Sequence, residues 1–402
     1  MTLDCFARRV HFVDHLAPVW RALPLEARGT FWVPEALVDY ARIRGVDATG
    51  VAPVRRQLPP LEVWPQPGRG PVLCCAYGDI EQVWKADRRR PLILMEHGVG
   101  LTPGNSVDGR EVLSPGYAGG GDLRKRVVLF LATNEFIAAK TRRAIPRACQ
   151  VVVGTPKMDR WANPVGEVVM SQKIIAAAAA YPEPYAGPFG RAALAWSHKV
   201  SQNYVPATAT EIRMLMTQRP RPVVAISWHW DGHRVCPEAG NAWKYFKRGI
   251  PALCGRYHVL GHGHPKIMDF LAKEYEALGC GIEIVRDFEE VLERADVYVN
   301  DASSTLYEFS CTGKPVVVCN APWFRRNVDY GIRFWRWSDV GVECNEPGEL
   351  LDAVALALED RPEQQAKRRK AVADLYPYLG RSAEVAAAAL VEFLKQHEKE
   401  TP

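Results

Sequence analysis

Over the first 160 residues the chain is patterned as short unbroken apolar runs, each followed by a stretch with apolar residues at helical spacing. Pro71–Asp79 (PVLCCAYGD) reads as a buried strand ending in a Gly-Asp turn. Pro91–Gly100 (PLILMEHGVG) reads as a second strand that runs into a His-Gly corner. Val127–Phe136 and Cys149–Asp159 continue the series. Unbroken rather than alternating apolar runs mark strands covered on both faces, as in a parallel sheet. The segments between them are long enough for crossover helices, which makes the class α/β.

From 161 to 221 the pattern loosens into an Ala-rich stretch broken by Tyr181-Pro182-Glu183-Pro184, expected to be a helical insertion or linker. The same grammar then restarts. Pro222–Asp231 is a strand, Gly240–Cys254 a helix, and Tyr257–Pro265 a strand leading into a loop. Ile267–Gly279 is an amphipathic helix with Gly279 placed to cap its C-terminus. Gly281–Asp287, a helix over Phe288–Ala295, the strand Asp296–Asp301, a helix from Ser303 and the strand Lys314–Pro322 follow. Two amphipathic helices, Gly348–Asp360 and Arg381–His397, close the chain. The organisation expected is a Rossmann-like acceptor domain over 1–160, the insertion over 161–221, a Rossmann-like donor domain over 222–375, and a C-terminal helical segment over 376–402 packing back on the first domain.

A length of 402 residues agrees with two domains rather than one core. Hydrophobic residues at 48% and charged residues at 24% exclude wholesale disorder. No apolar run is long enough to span a bilayer, and the N-terminus lacks the apolar core of a secretory signal. The ten cysteines contain no C-x-x-C pair, and Cys74 and Cys75 are adjacent; buried, reduced thiols in the cytoplasm are the expectation. The net charge of +5 is mild, but it is clustered in Arg88-Arg89-Arg90, Arg124-Lys125-Arg126, Arg142-Arg143 with Arg147, and Lys367-Arg368-Arg369-Lys370. These runs are either solvated faces or a surface for a polyanion.

Four segments carry the candidate chemistry. In Val299–Val318 a strand ends at Asp301 and Ser303-Ser304-Thr305 opens a helix, where amide N–H groups and hydroxyls can hold a phosphate without a metal. Glu308, one turn on, is placed to accept from ribose hydroxyls; the plainer reading is an N-cap without a ligand. His262 and His264 alternate on the next exit loop, and an imidazole there can donate to a phosphate or protonate a leaving group. An H-x-H without further ligands at standard spacing argues against zinc. His97, flanked by Glu96, Gly98 and Gly100, sits where a general base for an acceptor hydroxyl belongs, or is a hydrogen-bonded turn histidine. Ser227 and Trp228 end the first strand of the second half and face either a donor or the core.

These segments, in this order, resemble the CDP-glycerol glycerophosphotransferase family of teichoic-acid polymerases, within the GT-B superfamily. The resemblance is carried by His97-Gly98, by Gly154-Thr155-Pro156-Lys157-Met158-Asp159, by His264-Pro265, and by Asp301, Ser303 and Ser304. It implies two Rossmann-like domains facing across a cleft, His97 as catalytic base, Glu308 on the ribose, and Arg325 or Arg326 on a phosphate. The chain departs from the family in the roughly sixty residues after the G-x-P-K-x-D element and in the VGLTPG continuation of the His-Gly corner.

The expected function is metal-independent glycosyl transfer from a nucleotide-activated donor to an acceptor hydroxyl, with no resident cofactor. His97 and His264 are catalytic; Ser227, Trp228, His262, Asp301, Ser303, Ser304, Thr305, Glu308, Arg325 and Arg326 line the donor; Glu96, Gly98 and Gly100 line the acceptor. The donor is a UDP- or GDP-sugar, or CDP-glycerol in a phosphotransferase alternative. The acceptor lies on a glycan, a protein or a modified DNA base, with no integral membrane contact. An epimerase or hydrolase, with Glu96 as its carboxylate base, and a non-catalytic nucleotide-binding protein are the rivals.

Overall fold

The computed structural model describes residues 1–51, 53–54, 61–62, 70–99, 104–107, 110–113, 123, 126–142, 145, 147–162, 221–230, 241–301, 303–324 and 335–400. The insertion expected over 161–221 therefore falls, but for its ends, outside the described residues, as do Gly100, Arg325 and Arg326.

Seven parallel strands form the first sheet: β1 (Leu3–Phe6), β2 (Arg28–Pro34), β3 (Ala48–Val51), β4 (Val72–Cys74), β5 (Leu92–Met95), β6 (Val127–Ala132) and β7 (Cys149–Val152). Their spatial order is β7-β6-β5-β4-β1-β2-β3. Six parallel strands form the second: β8 (Val223–Ser227), β9 (His258–Gly261), β10 (Glu283–Ile284), β11 (Val297–Asn300), β12 (Val316–Cys319) and β13 (Val342–Cys344), in the order β10-β9-β8-β11-β12-β13. Counted within each sheet, the first runs 3-2-1-4-5-6-7 and the second 3-2-1-4-5-6, the doubly wound order whose direction of winding reverses between the first and fourth strands. The two switch points, β1/β4 and β8/β11, are where such sheets hold ligands, at the carboxyl ends of the strands.

The apolar runs seen in the sequence are the central strands. β4, β5, β11 and β12 are buried at every position. The helices that cover them are α1 (Val10–Ala22), α2 (Val38–Ile43), α3 (Tyr77–Ala86), α4 (Glu135–Thr141), α5 (Ile250–Arg256), α6 (Met268–Ala277), α7 (Phe288–Arg294), α8 (Thr305–Ser310), α9 (Leu350–Glu359), α10 (Pro362–Leu375) and α11 (Ser382–Glu400). Three helices close the chain rather than two, because the charged segment Lys367–Lys370 lies on α10. The helix expected over Gly240–Cys254 is split: Pro251 opens α5, after a separate turn over Trp243–Phe246 and a 3₁₀ turn over Lys247–Gly249. Gly279 ends α6 with φ +62°, the left-handed conformation a C-cap uses.

Helix α11 lies on the first domain. Its Ala386, Ala387, Leu390 and Leu394 share one core with Leu16, Trp20 and Phe31. The domains are further joined by ion pairs. Arg44 and Arg160 both reach Glu289 Oε2, at 2.6 and 2.9 Å, and Lys157 Nζ lies 2.6 Å from Glu308 Oε2. All nine described cysteines are free thiols, most of them buried. Among the described residues, no helix is long and apolar enough to cross a membrane.

Candidate functional site

In the second domain the switch point is built around Asp301. Its side chain is fully buried, and its two oxygens accept the backbone N–H groups of His229 (2.9 Å) and Ala242 (3.0 Å). This locks the loop leaving β8 against the turn that opens Trp243–Phe246. Beyond Asp301, Asn300 Oδ1 accepts from Ser303 N–H at 3.0 Å, and Ser303 Oγ accepts from Thr305 N–H at 3.3 Å. Thr305 Oγ1 is shared with the Tyr298 hydroxyl at 2.8 Å. Among the described residues, Ser304 N–H and the hydroxyl protons of Ser303 and Ser304 are the donors left at this turn.

On the neighbouring exit loop, His264 Nδ1 accepts from Lys266 N–H at 3.1 Å, so in the neutral ring Nε2 carries the proton and is a donor. Its ring lies 5.3 Å from that of His229 and 6.2 Å from Trp230, and Lys266 Nζ sits 4.2 Å over the Trp230 ring. Burial first, then the charges of His229, Lys266, His11 and Arg9, push the His264 pKa down to about 2. It is a neutral hydrogen-bond donor here.

In the first domain, His97 follows β5 and its Nδ1 stands 2.8 Å from the Cys75 carbonyl at the end of β4. A carbonyl only accepts, so Nδ1 carries the hydrogen and Nε2 presents a lone pair. Glu96 Oε1 accepts His97 N–H at 3.1 Å and braces the same turn. The His97 ring packs against Phe12 (5.2 Å), His15 (6.0 Å) and His11 (6.2 Å), all on α1. Burial is the main force lowering the pKa values of His15 and His11, the latter to about 3. Behind them Asp79, fully buried, receives Arg8 Nε at 2.6 Å.

The two halves meet through shared neighbours. His11 feels the charges of His97 and Lys157 on its own side and of Lys266 on the other. His264 in turn feels His11 and Arg9. Arg9 and Lys266, exposed cations from opposite domains, have no carboxylate partner among the described residues, and Arg9 helps lower the Lys266 pKa. Lys157, which also acts on His11 and His15, is the residue paired with Glu308 in α8.

No protein-family model matches the chain, and no curated protein matches it. Solved structures do. A histidine-to-asparagine variant of the wall teichoic acid polymerase TagF soaked with CDPG is 11% identical, at a TM-score of 0.59 over 98% of this chain and 89% of that one. The S. aureus MnaA–UDP structure is 11% identical at a TM-score of 0.56, over 98% of this chain and 97% of that one. UDP-GlcNAc 2-epimerase from Neisseria meningitidis, bound to UDP-GlcNAc, is 12% identical at 0.52, over 98% and 99%. The architecture is GT-B. At these identities the likeness establishes the fold.

Within the GT-B frame several sequence expectations need correction. Trp228 does not face a donor: it is fully buried, its ring 5.7 Å from Trp243 and 6.0 Å from Phe246, and only its carbonyl works at the site, accepting from His264 N–H. Ser227 is buried, and its carbonyl accepts from Asn300 Nδ2. His262 is a tie rather than a phosphate donor. Its Nδ1–H donates to the Val285 carbonyl at 2.9 Å, which leaves Nε2 an acceptor, and burial lowers its pKa. Asp301 acts through the backbone it holds and offers no open face. Glu308 is 3% exposed and meets Lys157 instead of an open cleft. Gly98 contributes its carbonyl, which accepts from Thr133 Oγ1 at 3.1 Å.

Residues that sequence reading left without a role stand beside these groups: His11 and His15 against His97, Arg8 on the buried Asp79, Lys157 on Glu308, His229, Trp230 and Lys266 around His264, and Arg9 acting on Lys266. One consequence is measurable. The unfolded imidazoles titrate near pH 6.5, whereas His11, His15, His229, His262 and His264 are held neutral in the fold. Below that pH the unfolded chain binds more protons, so stability present above pH 6.5 is lost as the pH falls toward the depressed folded values. The urea midpoint is expected to be lower at pH 5.5 than at pH 7.5, and His11→Gln should shrink the drop. Equal midpoints would contradict the neutral assignment.

Proposed function

We propose that the protein transfers a glycosyl group from a nucleotide diphosphate-linked donor to an acceptor hydroxyl, without a metal ion. The donor's diphosphate lies at the switch point of the second domain, on Ser304 N–H, the Ser303 and Ser304 hydroxyls and His264 Nε2–H. Arg9 and Lys266 flank it as cations from the two domains. What supports this reading is the pair of exit loops at the second switch point, where Asp301 and Asn300 fix the backbone beside Ser303 and Ser304 and His264 presents Nε2–H. The exposed Arg9 and Lys266, which have no carboxylate partner among the described residues, are near enough for Arg9 to help lower the Lys266 pKa. Such a site is completed by a dianion.

His97 Nε2 takes the proton of the acceptor hydroxyl as its oxygen bonds to the anomeric carbon. The bond from that carbon to the phosphate oxygen breaks, and the nucleoside diphosphate leaves with the electron pair. The charge that accumulates on it is stabilised by fixed N–H and O–H donors and two cations, a preorganised environment that requires no rearrangement during the step. With CDP-glycerol the same groups would serve attack on phosphorus, with CMP leaving.

Thermal-shift titration with UDP-, GDP- and CDP-linked donors tests the proposal. A midpoint rise with one nucleotide class and none with the others identifies the donor. A rise with CDP-glycerol alone would replace glycosyl transfer by glycerophosphate transfer. No rise with any of them would refute the donor site. Acceptors to screen with the identified donor are glycans, protein hydroxyls and modified DNA bases.

A further inference from the structure

The arginine runs of the sequence separate into two kinds once placed on the fold. Three of the four residues of the run on α10 are neutralised by the chain itself, and among the described residues the exposed fourth, Arg369, reaches only Gln365 Oε1 at 3.4 Å. Lys367 pairs with Asp339, Lys370 with Asp374, and Arg368, 3% exposed, with Asp360 and the Gly313 carbonyl. Arg90 is likewise buried and paired with Asp4 at 2.8 Å. The rest are treated differently. Arg88, Arg89, Arg126, Arg142 and Arg147 are all exposed, and none has a carboxylate partner among the described residues.

They also share one place. Arg126 immediately precedes β6, Arg147 stands two residues before β7, and Arg88 and Arg89 lie just before β5. Those three strands are adjacent and parallel, in the order β7-β6-β5, so their N-terminal ends form one edge. Helix α4 leaves the carboxyl end of β6 and returns Arg142 to this edge, where Gln150, the second residue of β7, is placed to accept from Arg142 N–H once its amide is turned. The clustering is direct for one pair: the guanidinium carbons of Arg88 and Arg126 lie 4.7 and 5.5 Å from the ring centre of Trp84. Two cations stacked on one indole and unpaired repel each other unless an anion joins them. Arg124, Lys125 and Arg143 flank the same positions in the sequence.

We propose that this edge of the first domain docks the phosphodiester backbone of a nucleic acid. It lies at the opposite end of the strands from His97, about 13–20 Å away at the usual rise per residue, so it is separate from the donor site and does not depend on the proposed reaction. Five planar guanidinium forks suit phosphate oxygens, which they can grip in pairs. A membrane surface fits less well because it calls for apolar anchors beside the charges. Among the described residues, none of the exposed large apolar side chains lies on these strand ends. The nearest along the edge, Leu25, precedes β2, three strands from β5.

The test is fluorescence anisotropy of the full chain with a labelled 30-base-pair DNA duplex across a salt series. Five phosphate contacts give a slope of log K against log salt of about −4.5. In Arg88→Glu/Arg126→Glu the affinity should fall at least tenfold and the slope flatten by about 2. Arg147→Glu, away from the Trp84 stack, should reproduce part of the loss if the double variant folds poorly. Arg369→Glu on α10 should stay within twofold of the parent. Parent protein that fails to bind at low salt, charge-reversed variants that bind as well as the parent, or capture by phosphatidylglycerol vesicles but not by DNA would each overturn the assignment.

Discussion

Replacing His97 by alanine should lower kcat for transfer by about 10²- to 10⁴-fold, the range a positioned general base supplies, and leave the donor-induced thermal shift intact. The split follows from where the side chain is held. His97 belongs to the first domain, its Nδ1 fixed on the Cys75 carbonyl and its ring wedged against Phe12 and His15. The donors assigned to the phosphates belong to the second domain and keep their own scaffold, Asp301 and Asn300. His97→Gln is the sharper comparison, because it keeps a polar group of similar length but removes the basic nitrogen. Its rate should fall as far as that of His97→Ala. Donor binding that vanishes together with turnover would take the base role from His97 and make it part of the donor site.

That such a division can be predicted at all reflects what a doubly wound sheet writes into its sequence. The central strands β4, β5, β11 and β12 are buried on both faces, so they appear as apolar runs that no amphipathic helix imitates. Whatever follows them is at the carboxyl edge, so pattern alone places Glu96, His97, Asp301 and Ser303 at strand ends. The N-terminal strands hid for physical reasons. β1 is four residues long and carries Asp4, an acid tolerated because Arg90 Nη2 and the Thr30 amide satisfy it from neighbouring strands. β2 carries Gly29 and Pro34. With β1 unrecognised, the segment that follows it was also unread, and with it Arg8 on Asp79, Arg9 and the His11 that packs near His97.

The direction of a side chain was the other thing pattern did not carry. Trp228 and His262 sit at the right ends of the right strands, yet one faces the tryptophan-rich core and the other ties down Val285. His262 and His264, two residues apart, would share a face in a continuing strand, but both lie beyond β9 in the loop, where His262 takes the Val285 carbonyl and His264 the Lys266 amide. The contact between Lys157 and Glu308 joins segments about 150 residues apart in sequence, and a single chain read linearly contains no signal for it.

Asp159 is where removing one side chain should cost the fold most. Its Oδ1 accepts from Gly380 N–H (3.0 Å) and Ser382 N–H (2.9 Å), and its Oδ2 from Ala383 N–H (2.7 Å). These are the orphan amides at the start of α11, and the carboxylate also opposes the positive end of that helix. The fit is close on every side. Gly154, at φ +83°, leaves room for Ser382, whose Oγ would lie 2.4 Å from an added Cβ. Asp159→Ala should therefore destabilise by about 3–5 kcal/mol, since each amide bond to a charged acceptor is worth roughly 1.5–3 kcal/mol and the three share one group. Asp159→Asn should lose about half as much: the amide oxygen can still serve Gly380 and Ser382, but its NH₂ would face Ala383 N–H. Because a two-domain chain need not unfold in one step, the decisive readout is local. Hydrogen exchange in Ser382–Glu400 should accelerate in the alanine variant before that of β4 and β5 does. A urea midpoint equivalent to less than about 1 kcal/mol of loss, or exchange that rises uniformly, would mean that apolar packing of α11 against α1, through Ala386, Ala387, Leu390 and Leu394, is sufficient to hold the helix without its cap.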